Sequence, residues 1–175
     1  PVYVHRSGFL VGARLEDGSD ARGPIYSLGT IPNFALNPSF ETGTGGFDRW
    51  ATLEGASARP SEVALYGKRS AEVTLPTGSS FYQTLPIDLS RETDYTVSGW
   101  LRPANGAQQQ VEVYLTATMT NGTTVDPFLV ETVEVPGGEA WHPFSLPLKT
   151  PENERVTVLQ IFLRPAGNEA EPVHV

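Results

Sequence analysis

The 175-residue sequence contains no cysteine, which removes disulfides, thiolate nucleophiles, zinc–thiolate sites and iron–sulfur ligation together. Its three histidines, His5, His142 and His174, lie too far apart for metal-ligand spacing, and no EF-hand loop is present. The chain is also poor in base. Twelve Lys and Arg face twenty Asp and Glu, a formal charge of −8 at pH 7, which repels phosphate backbones and anionic lipid surfaces. No nucleic-acid partner is expected. No apolar run approaches the roughly 20 residues that cross a bilayer, so no membrane insertion is expected either. The first twenty residues interrupt every apolar stretch with Arg and acids, unlike a signal peptide.

What the sequence has in quantity is turn formers. Seventeen Gly and fifteen Pro are spread along the chain and leave little room for long helices. Residues 1–35 carry three Arg and three acids, so the whole net charge belongs to residues 36–175. The first part holds short apolar pieces, Val2-Tyr3-Val4, Phe9-Leu10-Val11 and Ile25 to Leu28, and reads either as an extended N-terminal arm that adds a strand to its own domain or a neighbouring chain, or as a disordered leader. From residue 36 onward, turn signals recur every 8–14 residues, the spacing of an all-β sandwich or barrel. The expected strands are 47–53, 62–66, 70–75, 80–89, 94–102, 109–119, 124–135, 140–149 and 155–164, with the start of another at 172–175. Asn121-Gly122 predicts a type I′ turn joining 109–119 to 124–135 as a hairpin.

Alternation sorts the faces. Tyr95, Val97 and Leu101 point to the core, which leaves Trp100 and Arg102 outside. Val111, Val113, Leu115 and Ala117 likewise face inward and leave Glu112 and Tyr114 outside. If both strands belong to one sheet, its outer face carries two aromatic rings beside an Arg and a Glu. Such rings stack on the apolar face of a sugar while the polar neighbours bond its hydroxyls. Trp100, Arg102, Glu112 and Tyr114 are therefore the glycan-binding candidates, with Tyr82 at the rim. Burial of Trp100 under a loop or the arm is the competing reading. Trp50 and Trp141, beside Gly- and Pro-rich turns, are expected to plug the ends of the sandwich.

Catalytic signatures are thin. There is no G-x-S-x-G elbow and no nucleophile set beside a base. His142 shares a face with Phe144, Leu146 and Leu148 and reads as a core or boundary residue. Gly43-Thr44-Gly45-Gly46 and Gly67-Lys68-Arg69-Ser70 lack the spacing of a phosphate loop and read as turns. The chain is not expected to be an enzyme, and it requires no cofactor.

Ordered blocks along the chain carry a family likeness. Asn37-Pro38-Ser39-Phe40-Glu41, then Gly45-Gly46-Phe47 and Trp50, are followed by Tyr66-Gly67-Lys68-Arg69-Ser70-Ala71-Glu72-Val73. Gln83 with Leu85, the strand from Tyr95 to Arg102, and Trp141 to Phe144 complete the set. Together they resemble the jelly-roll carbohydrate-binding modules found beside xylanases. The resemblance implies a two-sheet antiparallel β-sandwich that binds without cleaving, often with one structural calcium, for which Glu41 would be a ligand. The family's closing Asp pair has no counterpart before Val175, so a continuation of the natural chain is expected. The opening residues look more like accessory proteins of tailed phages that reuse this jelly roll. That implies a virion component: arm 1–35 joins other virion proteins in an oligomeric assembly, and sandwich 36–175 contacts cell-surface polysaccharide. The alternative is a module of a secreted polysaccharide-degrading enzyme.

Overall fold

A computed structural model describes residues 2–6, 33–43, 47–167 and 172–175. The apolar pieces at Phe9–Val11 and Ile25–Leu28 lie outside the described residues. Eleven strands build two antiparallel sheets, a sandwich of jelly-roll type, and there is no helix among the described residues. The strands are β1 (Val2–Arg6), β2 (Ala51–Leu53), β3 (Ser57–Ser61), β4 (Ser70–Thr74), β5 (Ser80–Leu89) and β6 (Asp94–Pro103), then β7 (Gln109–Met119), β8 (Thr124–Val135), β9 (His142–Lys149), β10 (Val156–Pro165) and β11 (Val173–His174).

One sheet has five strands in the order β2-β5-β10-β7-β8. The other has six: β9 lies along one edge of β6, while β1 and β11 share the other edge, followed by β4 and β3. β1 pairs with Tyr95–Gly99 and β11 with Arg102–Pro103. The N-terminal strand thus adds to the chain's own sheet.

The inward alternation read from sequence holds. Tyr95, Val97, Leu101, Val111, Val113, Leu115 and Ala117 are all buried in one core with Leu85, Leu89, Leu159, Ile161 and Leu163. At one end Phe40, Phe47, Trp50 and Phe81 form an aromatic plug, with the Trp50 and Phe81 rings stacked at 5.0 Å. Trp50 donates its indole N–H to Asn37 O at 3.2 Å, so its polar atom is satisfied where its ring is dry.

Three expectations need correction. The strand expected at 47–53 is only β2, Ala51–Leu53, because residues 47–50 form a turn in which Trp50 N–H bonds Phe47 O at 2.9 Å. The strand placed at 62–66 lies instead at β3, Ser57-Ala58-Arg59-Pro60-Ser61, paired only with β4. An edge strand with exposed positions needs no apolar alternation, and Pro60 is tolerated where one side of the strand has no ladder to feed. The hairpin β7–β8 forms as expected, but its turn is not type I′. Gly122 alone has a left-handed φ, +84°, and Asn121 does not. Gly122 N–H bonds Met119 O and Met119 N–H bonds Thr123 O, at 3.0 and 2.8 Å. This is the three-residue loop in which a type I turn is closed by a glycine bulge. The Asn121 carboxamide accepts Thr123 N–H at 2.8 Å, which holds it in that form.

Candidate glycan-binding face

β6 and β7 belong to different sheets, so the four principal candidates do not form one strip. Glu112 and Tyr114 stand on the outer face of the five-stranded sheet, and Trp100 and Arg102 on the outer face of the six-stranded sheet. Alternation fixed which way each side chain points. It could not say which sheet received the strand, because some connections stay in one layer, as β7–β8 does, and others cross to the opposite one, as β6–β7 does.

On the five-stranded sheet a single register row runs Ala51, Tyr82, Phe162, Tyr114 and Val130 across all five strands. Tyr82 stacks on Phe162 with centroids 5.3 Å apart and planes 21° from parallel, and Tyr114 meets Phe162 edge-on at 6.0 Å. The rim candidate Tyr82 is therefore a member of the row. Exposed Leu53 and Val130 extend its apolar character toward either edge.

Polar rows flank it, each about 7 Å away at two residues along the strands. On one side Thr116 donates to Gln160 Oε1 at 3.0 Å and Gln160 Nε2 donates to Thr84 at 3.1 Å. On the other, Arg164 pairs in register with Glu112, 4.0 Å between charged atoms, and lays its guanidinium 3.5 Å from the Tyr114 ring centroid. The Tyr114 hydroxyl donates to the Asp126 carboxylate. That bond and the carboxylate's charge hold the phenol above its ordinary pKa, so it stays protonated and fixed in direction at neutral pH.

Phe162, Arg164 and Gln160 were not singled out by sequence. The signal was there: Leu159, Ile161 and Leu163 take the inward positions of β10, and Phe162 is an aromatic among the outward ones. The apolar run over residues 161–163 masks it, because such a run reads as a strand buried on both faces.

Glu41 sits at a turn. Its Oε1 accepts Lys68 N–H at 2.6 Å and Arg69 N–H at 3.0 Å, and these donors with the nearby cationic side chains lower its pKa. Gly67, with φ +76°, leaves room for the carboxylate, since a Cβ there would come within 2.3 Å of Oε1. Amide hydrogens converging on a carboxylate suit an anion. Among the described residues no group of three His, Cys, Asp or Glu surrounds it. The rest of the opening block is likewise structural. Asn37 donates to Thr42 O and Asp48 O and accepts Thr42 N–H, and Phe40 enters the core with a left-handed φ of +58°.

Residues 32–168 match the carbohydrate binding domain family, and the chain belongs to it. No curated protein matches the chain in sequence. In fold it is similar to the CBM22-1 xylan-binding domain of Paenibacillus barcinonensis Xyn10C, with 18% identity, 78% of this chain, 86% of that one and a TM-score of 0.59. It is also similar to the CBM22-1–GH10 part of Clostridium thermocellum xylanase Xyn10B, with 16% identity, 73% of this chain, 25% of that one and a TM-score of 0.56. A third is the enzymatically active domain of tailspike protein 4 of bacteriophage CBA120, with 14% identity, 81% of this chain, 20% of that one and a TM-score of 0.56.

Proposed function

We propose that the chain is a non-catalytic module that holds a polysaccharide along the outer face of the five-stranded sheet. The row Tyr82–Phe162–Tyr114 carries this reading: three rings in register across neighbouring strands, with hydroxyl and amide groups on one side and an Arg–Glu pair on the other. Tyr82 and Tyr114, half-buried on either side of the buried Phe162 ring, offer apolar surface to sugars beside the Arg164 guanidinium that lies over Tyr114, and the flanking rows offer both donors and acceptors to the sugar hydroxyls. Membership of the carbohydrate binding domain family supports the class of ligand. The likeness to a xylan-binding domain makes β-linked plant polysaccharide the first ligand to try.

Titration calorimetry with xylohexaose and cellohexaose tests this. Wild type should bind one of them with a Kd of roughly micromolar to millimolar. Tyr114→Ala with Phe162→Ala should weaken binding at least about tenfold, at roughly 1–3 kcal/mol per lost ring, while the far-UV spectrum stays that of the wild type. Binding that survives the double substitution would move the site elsewhere.

For the setting, we infer a virion surface, with residues 1–35 as the anchor to neighbouring proteins of an oligomeric particle. The fold likeness to a phage tailspike domain supports it. The likeness to xylanase modules supports the other setting, beside a secreted polysaccharide-degrading enzyme. Deletion of residues 1–33, which also removes β1 from the edge of the six-stranded sheet, separates the two: particle incorporation should be lost in the first setting, and glycan binding on the five-stranded sheet should be unaffected in both.

A further inference from the structure

The outer face of the six-stranded sheet holds a second constellation. One register row runs Arg102 (β6), His174 (β11), Glu72 (β4) and Arg59 (β3), so these side chains stand beside one another across four strands. Its charges are unequally satisfied. Arg59 donates through Nε to Glu72 Oε1 at 2.8 Å, so the row's one carboxylate is engaged at its Arg59 end. Arg102 Nε is buried without a hydrogen-bond partner, and so is Nδ1 of His174, a residue only 4% exposed. Arg102 Nε itself is sealed from solvent, while the side chain as a whole is only half-buried, so a poorly paired cation is presented at this face and gains from an acceptor brought to it. The group that answers a guanidinium fork is a carboxylate.

The surroundings select a sugar as the carrier of that carboxylate. Half-buried Trp100 stands on the same face of β6, two residues from Arg102, with Pro143 of β9 as its register partner. The Trp141 ring lies 6.3 Å from that of His174. At the far end of the row a cleft of about 430 Å³ is lined by Ser57, Arg59, Glu72 and Thr74, whose groups bond hydroxyls well. We propose that this face is a second binding site, on the opposite side of the sandwich from the aromatic row, that takes a uronate residue of an acidic polysaccharide: Arg102 receives its carboxylate and Trp100 its ring.

The test uses the full chain, titrated with tetragalacturonate, with its fully methyl-esterified form and with cellotetraose. Wild type should bind the acid. Esterification, and separately Arg102→Gln, should each weaken binding roughly tenfold to a hundredfold, the weight of a charge-assisted bond. Arg102→Lys keeps the charge without the fork. It should bind with an intermediate affinity and guards against a folding artefact in the Gln variant, with a thermal melt as control. The Tyr114→Ala, Phe162→Ala variant should bind the acid as wild type does, which separates failure of this site from failure of the aromatic row. Equal affinity for acid and ester, undiminished binding by both Arg102 variants, loss of binding in the Tyr114/Phe162 variant, or no binding of the acid at all would overturn the proposal.

Discussion

Gln83 shows how one residue can fasten a loop that has no regular structure. It lies on the inward face of β5 with no exposed surface, among Phe81, Leu85 and Leu89. Both ends of its amide are used on one residue. Oε1 accepts Leu36 N–H at 2.9 Å and Nε2 donates to Leu36 O at 2.6 Å, with a further bond to Arg49 O at 3.3 Å. Leu36 and Arg49 are therefore docked on the sandwich through a side chain that imitates a strand partner. Gln83→Leu keeps the volume and strands the Leu36 N–H and C=O. The expected loss is about 2–6 kcal/mol, at roughly 1–3 per orphaned group, read from urea unfolding. A loss below about 0.5 kcal/mol would mean that water replaces the clamp. From the sequence, Gln83 was legible only as part of a family block. Its task depends on a partner 47 residues away, which no local pattern reveals.

At the scale of elements, legibility followed the strength of the pleat. Long strands with clean alternation, β5, β6, β7 and β9, were placed to within about two residues, because burial of one face imposes a period of two on the sequence. β3 escaped because an edge strand with polar positions obeys no such period, and the Phe162 of the binding face escaped because β10 has apolar residues on both faces. The β7–β8 turn offers a direct check on local chemistry. In a type I′ turn both central residues would need positive φ, and substitution of either would cost alike. Here only Gly122 is left-handed, and a Cβ there would meet nothing within 4 Å. Gly122→Ala should therefore cost about 1 kcal/mol of pure backbone strain. Asn121→Ala should cost less, about 0.5 kcal/mol for its bond to Thr123. Equal costs in urea unfolding would restore the type I′ turn.

For the molecule as a whole, the six-stranded sheet closes by placing β11 between β6 and β4, and this carries His174 into a buried position in a chain with few bases. Burial lowers its pKa below the ordinary histidine value of 6.5. Glu72 opposes that shift, while Arg102 and Arg59 add to it. The consequence for stability has a definite sign. Above pH 6.5 neither the folded nor the unfolded chain protonates this residue, and its contribution is intact. As pH falls below 6.5 the unfolded chain takes up the proton first, so stability falls with pH until the folded form also protonates. The limiting slope for one proton is about 1.4 kcal/mol per pH unit. Glu41, held below its ordinary 4.5 chiefly by the Lys68 amide, has the same sign in a lower window: its contribution is present above 4.5 and lost as pH falls through the folded value. The two windows separate the groups. Between pH 6.5 and about 5 the melting temperature of the wild type should fall, and His174→Gln should flatten that stretch of the curve while leaving the decline below pH 4.5 in place. A wild-type melting temperature that stays level from pH 7 to 5 would mean that His174 titrates as freely in the sheet as in the unfolded chain.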